Sequence, residues 1–293
     1  MNLLLYAICT IIWGSTWLVI TFQVGGASPI TSVFWRFLLS AVMLAIFAFV
    51  TKKKMRYPKK DHLLFAGQGV FMFSVNYMLF YISETMVSSG MTAVAFTSLV
   101  YYNMLGMWIF FKKPITKNVI IGSLIGGVGI LFLFLDEITN LTGGQKTILG
   151  LLISFIATLS ASCGNLLSQV TYKKGIPIVV TNTFGMFYGS VFTLLVALLF
   201  RQDLAIPMTS QFLLSLLYLS LFGSVIAFGA YLTLAGRIGA EKAAYTSVLS
   251  PVIALTLSSF YENFKWTPYI GVGVLLCLLG NILTLKKPSA KKA

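Results

Sequence analysis

Apolar runs of roughly twenty residues follow one another along almost the whole chain, at about 2–23, 29–51, 62–83, 87–111, 118–135, 147–171, 177–200, 209–235, 240–261 and 267–285. A helix rises 1.5 Å per residue, so about twenty apolar residues cross the hydrocarbon core of a bilayer. Ten such runs leave almost nothing over in 293 residues. Only 10% of the chain is charged and its mean hydropathy is +0.91. A water-facing surface needs charged residues at about 25%. The expected fold class is therefore all-α integral membrane, with ten transmembrane helices.

The placement of charge orients the runs. Of 21 basic residues, 17 fall in alternate loops and the C-terminal tail: Lys52, Lys53, Lys54, Arg56, Lys59, Lys60, Lys112, Lys113, Lys117, Lys173, Lys174, Arg237, Lys242, Lys286, Lys287, Lys291 and Lys292. The opposite loops hold only Lys146, Arg201 and Lys265, and five of the seven acids (Glu84, Asp136, Glu137, Asp203, Glu262). By the positive-inside rule both termini are cytoplasmic. The net charge of +14 is then topogenic, and no nucleic-acid partner is expected. Cys9, Cys163 and Cys277 lie in apolar runs and read as buried thiols. The first run lacks a basic n-region and a small-residue cleavage site, and reads as a retained helix.

The chain also repeats itself. Residues 90–135 return, diverged, at 239–284 with an offset of 149: Gly90 meets Gly239, Ala95 meets Ala244, Thr97 meets Thr246, Ser98 meets Ser247 and Gly122 meets Gly271. Two units are expected, 1–140 and 141–293, joined near Gly143. Five spans per unit is odd, so the second enters the membrane upside down. That inverted-repeat layout places a solute site between the halves near the midplane. Residues 1–140 are expected to superpose on 147–285 about an axis in the membrane plane.

Several motifs stand in a telling order: WGSTW at 13–17, Arg36-Phe37 in the second run, a GxxAAxxS-like start to the fourth and ninth runs, SPV at 250–252, Glu262, and Gly122 and Gly271 near the starts of the fifth and tenth runs. Together they resemble the drug/metabolite transporter superfamily, in its ten-helix form with two EamA-type repeats. The resemblance covers essentially the whole chain. It implies export or exchange of a small polar or amphipathic metabolite, such as an amino acid, across a bacterial-type inner membrane. Relatives often carry a proline in both the fourth and ninth runs. Here Pro251 has Tyr102 as its counterpart, so a matching kink in the first half is not expected.

Polar residues inside the runs are the candidate substrate site. Arg36 is the only charge well inside a span, and such a residue faces protein or water. It reads either as a clamp for a substrate carboxylate or phosphate, or as an inward arginine bonded to helix carbonyls. Trp13 and Trp17 share a helix face with Ser15 and Thr16 between them, as an aromatic wall or as packing. Asn76, Tyr77 and Tyr81, with Thr97, Ser98, Tyr101 and Tyr102, form the polar patch of the first half; Asn165, Gln169, Thr246, Ser247 and Ser250 form that of the second. Buried polar groups in lipid need partners, and helix-to-helix hydrogen bonds or a lined cavity both supply them.

No acid sits in the middle of any run, so facilitated or exchange transport is expected rather than proton or sodium coupling. No phosphate-binding loop, metal-ligand cluster or cofactor motif occurs. The partners expected are lipid and a small-molecule substrate, in a monomer or weak dimer. The competing readings are a membrane-embedded enzyme acting on a lipid-linked substrate, which the short loops and the lack of an acid–base pair disfavour, and a passive channel.

Overall fold

The computed structural model describes residues 2–112, 114–115, 117–140, 144–238, 246–262 and 264–285. The join at Gly143, the 239–245 stretch that opens the second repeat copy, and the basic tail from 286 onward lie outside the described residues. So do Lys113 and Lys242.

The described residues form α1 (Asn2–Thr21), α2 (Pro29–Val50), α3 (Lys59–Gln68, Gly69–Val75 and Asn76–Ser83), α4 (Ser89–Phe96 and Leu99–Phe111) and α5 (Lys117–Asn140). After these come α6 (Gly144–Lys173), α7 (Ile178–Leu199), α8 (Ser210–Tyr218, Leu219–Ile226 and Ala227–Ile238), α9 (Thr246–Tyr261) and α10 (Pro268–Leu285). Seven of them, α1–α4 and α6–α8, are long and apolar enough to cross a membrane; the described apolar stretches of α5, α9 and α10 are shorter. Large apolar side chains such as Phe49, Leu199 and Phe260 are on the outside. Serines, threonines and asparagines are inside, including Ser40, Ser154, Thr158, Ser190 and Asn281. Lipid tolerates this reversal of the soluble pattern because the buried hydroxyls donate to carbonyls: Ser154, Thr158 and Ser190 within their own helices, and Ser40 also to Ser220 O of α8. The fold is an all-α integral membrane fold.

Local signals start the helices as expected. Ser28 caps α2 by accepting from Thr31 N at 3.1 Å, with Pro29 in the first turn. Ser88 caps α4 through Met91 N, and Thr209 caps α8 through Phe212 N.

Helix partners follow a regular scheme. α2 lies along α7, and α5 along α10. α1 packs on α8 and α9, while α6 packs on α3 and α4; α2 meets α8, and α7 meets α3. Glycines permit the closest approaches. A Cβ on Gly280 would lie 2.5 Å from Gly122 O, and one on Gly129 would lie 2.7 Å from Gly273 O, so α5 and α10 meet backbone to backbone.

Two features go beyond what the sequence suggests. α3 and α8 each widen into a π-helical stretch, at Gly69–Val75 and Leu219–Ile226. Their first residues are 150 apart, close to the 149-residue offset of the sequence repeat. In addition α4 does have an interruption. Thr97, Ser98, Val100 and Tyr101 donate their N–H groups to carbonyls three residues back, a tightened 3₁₀ turn. Thr97 and Ser98 hydroxyls also donate to Val94 O and Ala95 O at 2.7 Å. Back-bonding hydroxyls thus accompany an interruption of α4 in the absence of a proline, whereas Pro251 lies within an unbroken α9.

Candidate solute site

A cavity of about 830 Å³, its mouth included, lies among α1, α3, α4, α6, α8 and α9. Its wall comes from the second half of α1, from within α3, α4, α6 and α8, and from the described start of α9. Trp13, Trp17, Tyr77, Phe80, Phe96, Phe228 and Tyr231 supply aromatic faces; Thr16, Asn76, Asn103, Asn165, Thr246, Ser247 and Ser250 supply amides and hydroxyls. No charged side chain lines it among the described residues.

The aromatic wall is built as interlocking edges. Trp13 meets Phe228 at 5.2 Å and Tyr231 at 5.0 Å, and Trp17 meets Phe80 at 5.1 Å and Phe96 at 5.6 Å. The Trp13–Phe228 and Trp17–Phe80 pairs are edge-to-face and the other two tilted, and rings at these separations hold each other in place. Trp13 Nε1 donates to Gly223 O at 3.3 Å, in the π stretch of α8. The fixed rings leave polar atoms between them. Asn76 is buried, and its Oδ1 has no partner within the protein. Buried acceptors of this kind are nearly always satisfied, so a solute donor or water fits there.

At one end α4 and α9 close over the cavity. A Cβ on Gly90 would meet Leu255 Cδ2 at 2.8 Å and Ser258 Cβ at 3.1 Å. Glu262, at the end of α9, accepts from Ser89 N at 3.2 Å and from the Ser89 hydroxyl. This closed end carries Glu84 and Glu262; the other carries Asp61, paired with Lys174, and most of the described lysines. The packing of α4 on α9 runs along Ser89–Phe96, with nothing comparable beyond Leu99 among the described residues.

Nine of the residues expected from the sequence meet at the cavity: Trp13, Thr16, Trp17, Asn76, Tyr77, Asn165, Thr246, Ser247 and Ser250. Six do not line it. Ser15 bonds Ile12 O and the Tyr218 hydroxyl, facing α8. Thr97 and Ser98 are turned onto their own helix. Tyr101 points to α5, its hydroxyl 3.5 Å from Gly122 O, and Tyr102 lies outside the wall. Arg36 sits behind the wall, 1% exposed. Its Nε donates to Ser224 Oγ at 3.1 Å and its Nη1 to Tyr81 at 3.4 Å, and its guanidinium lies 4.6 Å from the Tyr77 ring centroid. The fork is engaged by α8 and α3 rather than open to a solute.

Asn103, Phe80, Phe96, Phe228 and Tyr231 join the wall without having stood out in the sequence. An amide within an apolar run is a usable signal for Asn103, which accepts from Ser162 Oγ at 2.8 Å. Nothing sets the phenylalanines apart from their apolar neighbours.

The comparisons with known proteins agree with this architecture. The model of the EamA-like transporter family matches residues 1–135 and again 148–286. The chain belongs to the EamA-like transporter family. It is 26% identical over 273 residues to "Uncharacterized transporter YoaV" of Bacillus subtilis, covering 92% of each chain. It is 28% identical over 288 residues to "Uncharacterized inner membrane transporter YedA" of Escherichia coli K12, covering 95% of this chain and 90% of that one. A solved crystal structure shares the fold with a TM-score of 0.70 at 14% identity, over 97% of this chain and 96% of the other. This family member is a multi-pass membrane transporter.

Proposed function

We propose that the protein is a secondary transporter that exports or exchanges a small, uncharged or zwitterionic amphipathic solute, such as an amino acid, by alternating access. The observation that carries the proposal is a cavity among six helices, closed over at one end by α4 and α9. Its wall offers aromatic faces and neutral hydrogen-bonding groups, so a solute with an apolar body and a few polar atoms fits, and a cationic head is tolerated by the rings. An anion finds no free cation among the described lining residues.

The two units, 1–140 and 141–293, are the natural moving bodies. Exchanging α1–α5 for α6–α10 turns the principal helix pairs into one another: α1–α9 becomes α6–α4, α1–α8 becomes α6–α3, and α2–α8 becomes α7–α3. The paired π stretches follow the same exchange. Both support an inverted repeat of ten spans, which has two packings of similar energy, one open to each side. Lysine and arginine at the unsealed end support cytoplasmic termini in a bacterial-type inner membrane, with the Glu84 and Glu262 end outside.

Counterflow tests this. Proteoliposomes preloaded with single unlabelled amino acids are expected to accumulate the matching labelled one transiently, beyond equilibrium. Equilibration with no overshoot for any permeating solute would indicate a channel and overturn the proposal.

A further inference from the structure

Among the described residues, Glu84 is the carboxylate that is buried with neither oxygen hydrogen-bonded within the protein. It follows α3 directly, in the turn leading to α4 at the sealed end. The neighbouring Ser83 is tied to α6 through Gly150 O at 2.9 Å and Ser154 Oγ at 2.6 Å, so the turn is held inward. A few residues further along the same turn the chain reaches Ser89, which Glu262 of α9 grips. The buried acid and the α4–α9 closure therefore share one short segment.

We propose that Glu84 is a proton-binding residue of the outer gate: its carboxylate takes up a proton as α4 and α9 close and releases it as they part. The inference rests on the alternating-access reading. Burying an ionised carboxylate without partners is far costlier than burying the neutral acid. Among the described residues the groups that act on Glu84 are few, and the Tyr81 phenol at the end of α3 is one of them. Glu262 of α9 is a second carboxylate and repels its charge; Arg36 of α2 attracts it but is held by Ser224 and Tyr81. Lys146 at the start of α6 is exposed. Burial, first, and Glu262, second, hold the Glu84 carboxyl well above the usual carboxylate range, with Arg36 opposing.

The sign follows by linkage. In an open, hydrated gate the group returns toward about 4.3. Below that value both states are protonated and pH has no effect. Between it and the raised value of the closed state, closure binds one proton, so each pH unit upward favours opening by up to about tenfold. Above the raised value the effect levels off. The proton is taken from and returned to the same side, so the gate is tuned by outside pH and no driving force is added. This is compatible with transport that is facilitated or by exchange.

Two measurements test it. Infrared difference spectra of the whole protein in lipid are expected to show a carboxylic-acid C=O band that persists well above the ordinary carboxylate value of about 4.3, is absent in Glu84→Gln, and disappears at lower pH in Glu262→Gln. Loss of every such band in the wild type near the ordinary carboxylate range would overturn the proposal, whether or not Glu84→Gln folds. The second places a cysteine at buried Ser258, against Gly90, with Cys9, Cys163 and Cys277 replaced by alanine. Labelling by a membrane-impermeant maleimide is compared with and without Glu84→Gln at each pH, which cancels the pH dependence of the reagent. The ratio is expected to rise by up to about tenfold per pH unit across the window. A flat ratio, with labelling present, overturns the role of Glu84 and leaves alternating access standing. No labelling of either protein at any pH, despite counterflow, overturns outward opening at this end and the proposal with it.

Discussion

Arg36→Gln is expected to lower stability by about 3 kcal/mol while leaving solute binding by the folded protein close to normal. The guanidinium makes two side-chain hydrogen bonds, to Ser224 and Tyr81, at 1% exposure. Hydrogen bonds to a charged group contribute about 1.5–3 kcal/mol each, and their loss leaves Ser224 and Tyr81 only the bonds they donate, to Leu219 O and Gln23 Oε1. The backbone of the same residue is involved as well: Ser220 Oγ donates to Arg36 O, and Ser40 Oγ to Arg36 O and Ser220 O. Arg36 thus joins α2 to the π stretch of α8 and, through Tyr81, to α3. Lysine keeps the charge but not the planar fork, so Arg36→Lys is expected to be destabilised too. Thermal unfolding and ligand-induced stabilisation, measured together, separate the roles. A variant as stable as the wild type but unable to bind an acidic solute would restore the clamp reading.

Ala161→Trp is expected to reduce counterflow by at least about tenfold, a barrier or affinity change of about 1.4 kcal/mol or more. Ala161 lines the cavity from α6, opposite the aromatic wall of α1 and α3. An indole placed there enters empty space between fixed rings instead of a packed core, so folding is expected to survive. Elution profile and melting temperature are the controls. Wild-type counterflow in this variant would mean that solute does not pass through the cavity.

The layers of the fold are easy to read in the sequence. Lipid thickness sets the length of each apolar run, so the seven long apolar helices and the buried thiols Cys9 and Cys277 follow, while Cys163, read alike, is only half-buried. The rotation of each helix is harder. A run apolar on all sides has no periodicity to reveal which face is inside. This is why Phe80, Phe96 and Tyr231 escape notice while Tyr101 and Tyr102 read as wall residues. The π stretches depend on tertiary contact: Gly69 O lies where a Gly189 Cβ would be 2.8 Å away, and no local signal specifies that approach. For Arg36 the cost of burial correctly implies an inward side chain. It does not choose between a wet cavity and the hydroxyls of Ser224 and Tyr81, since either satisfies the guanidinium.

The acids show the same limit. Glu84 is at a helix end, as its place in the sequence implies, yet it is 7% exposed. Depth along a helix and exposure to water are separate quantities in a bundle, and only the packing of neighbouring segments fixes the second.

Alternating access requires that opening one end of the cavity closes the other, and a wedge at the sealed end tests it without a known solute. In Gly90→Leu the new Cβ alone would stand 3.2 Å from Leu255 Cα and 2.8 Å from Leu255 Cδ2, so α4 and α9 must separate there. Spin labels at Phe110 on α4 and Leu249 on α9, both exposed, report the opposite end. Measured by pulsed electron spin resonance in lipid nanodiscs, the Phe110–Leu249 distance is expected to shorten in Gly90→Leu relative to the labelled parent. An unchanged or longer distance in a folded Gly90→Leu protein would contradict alternating access.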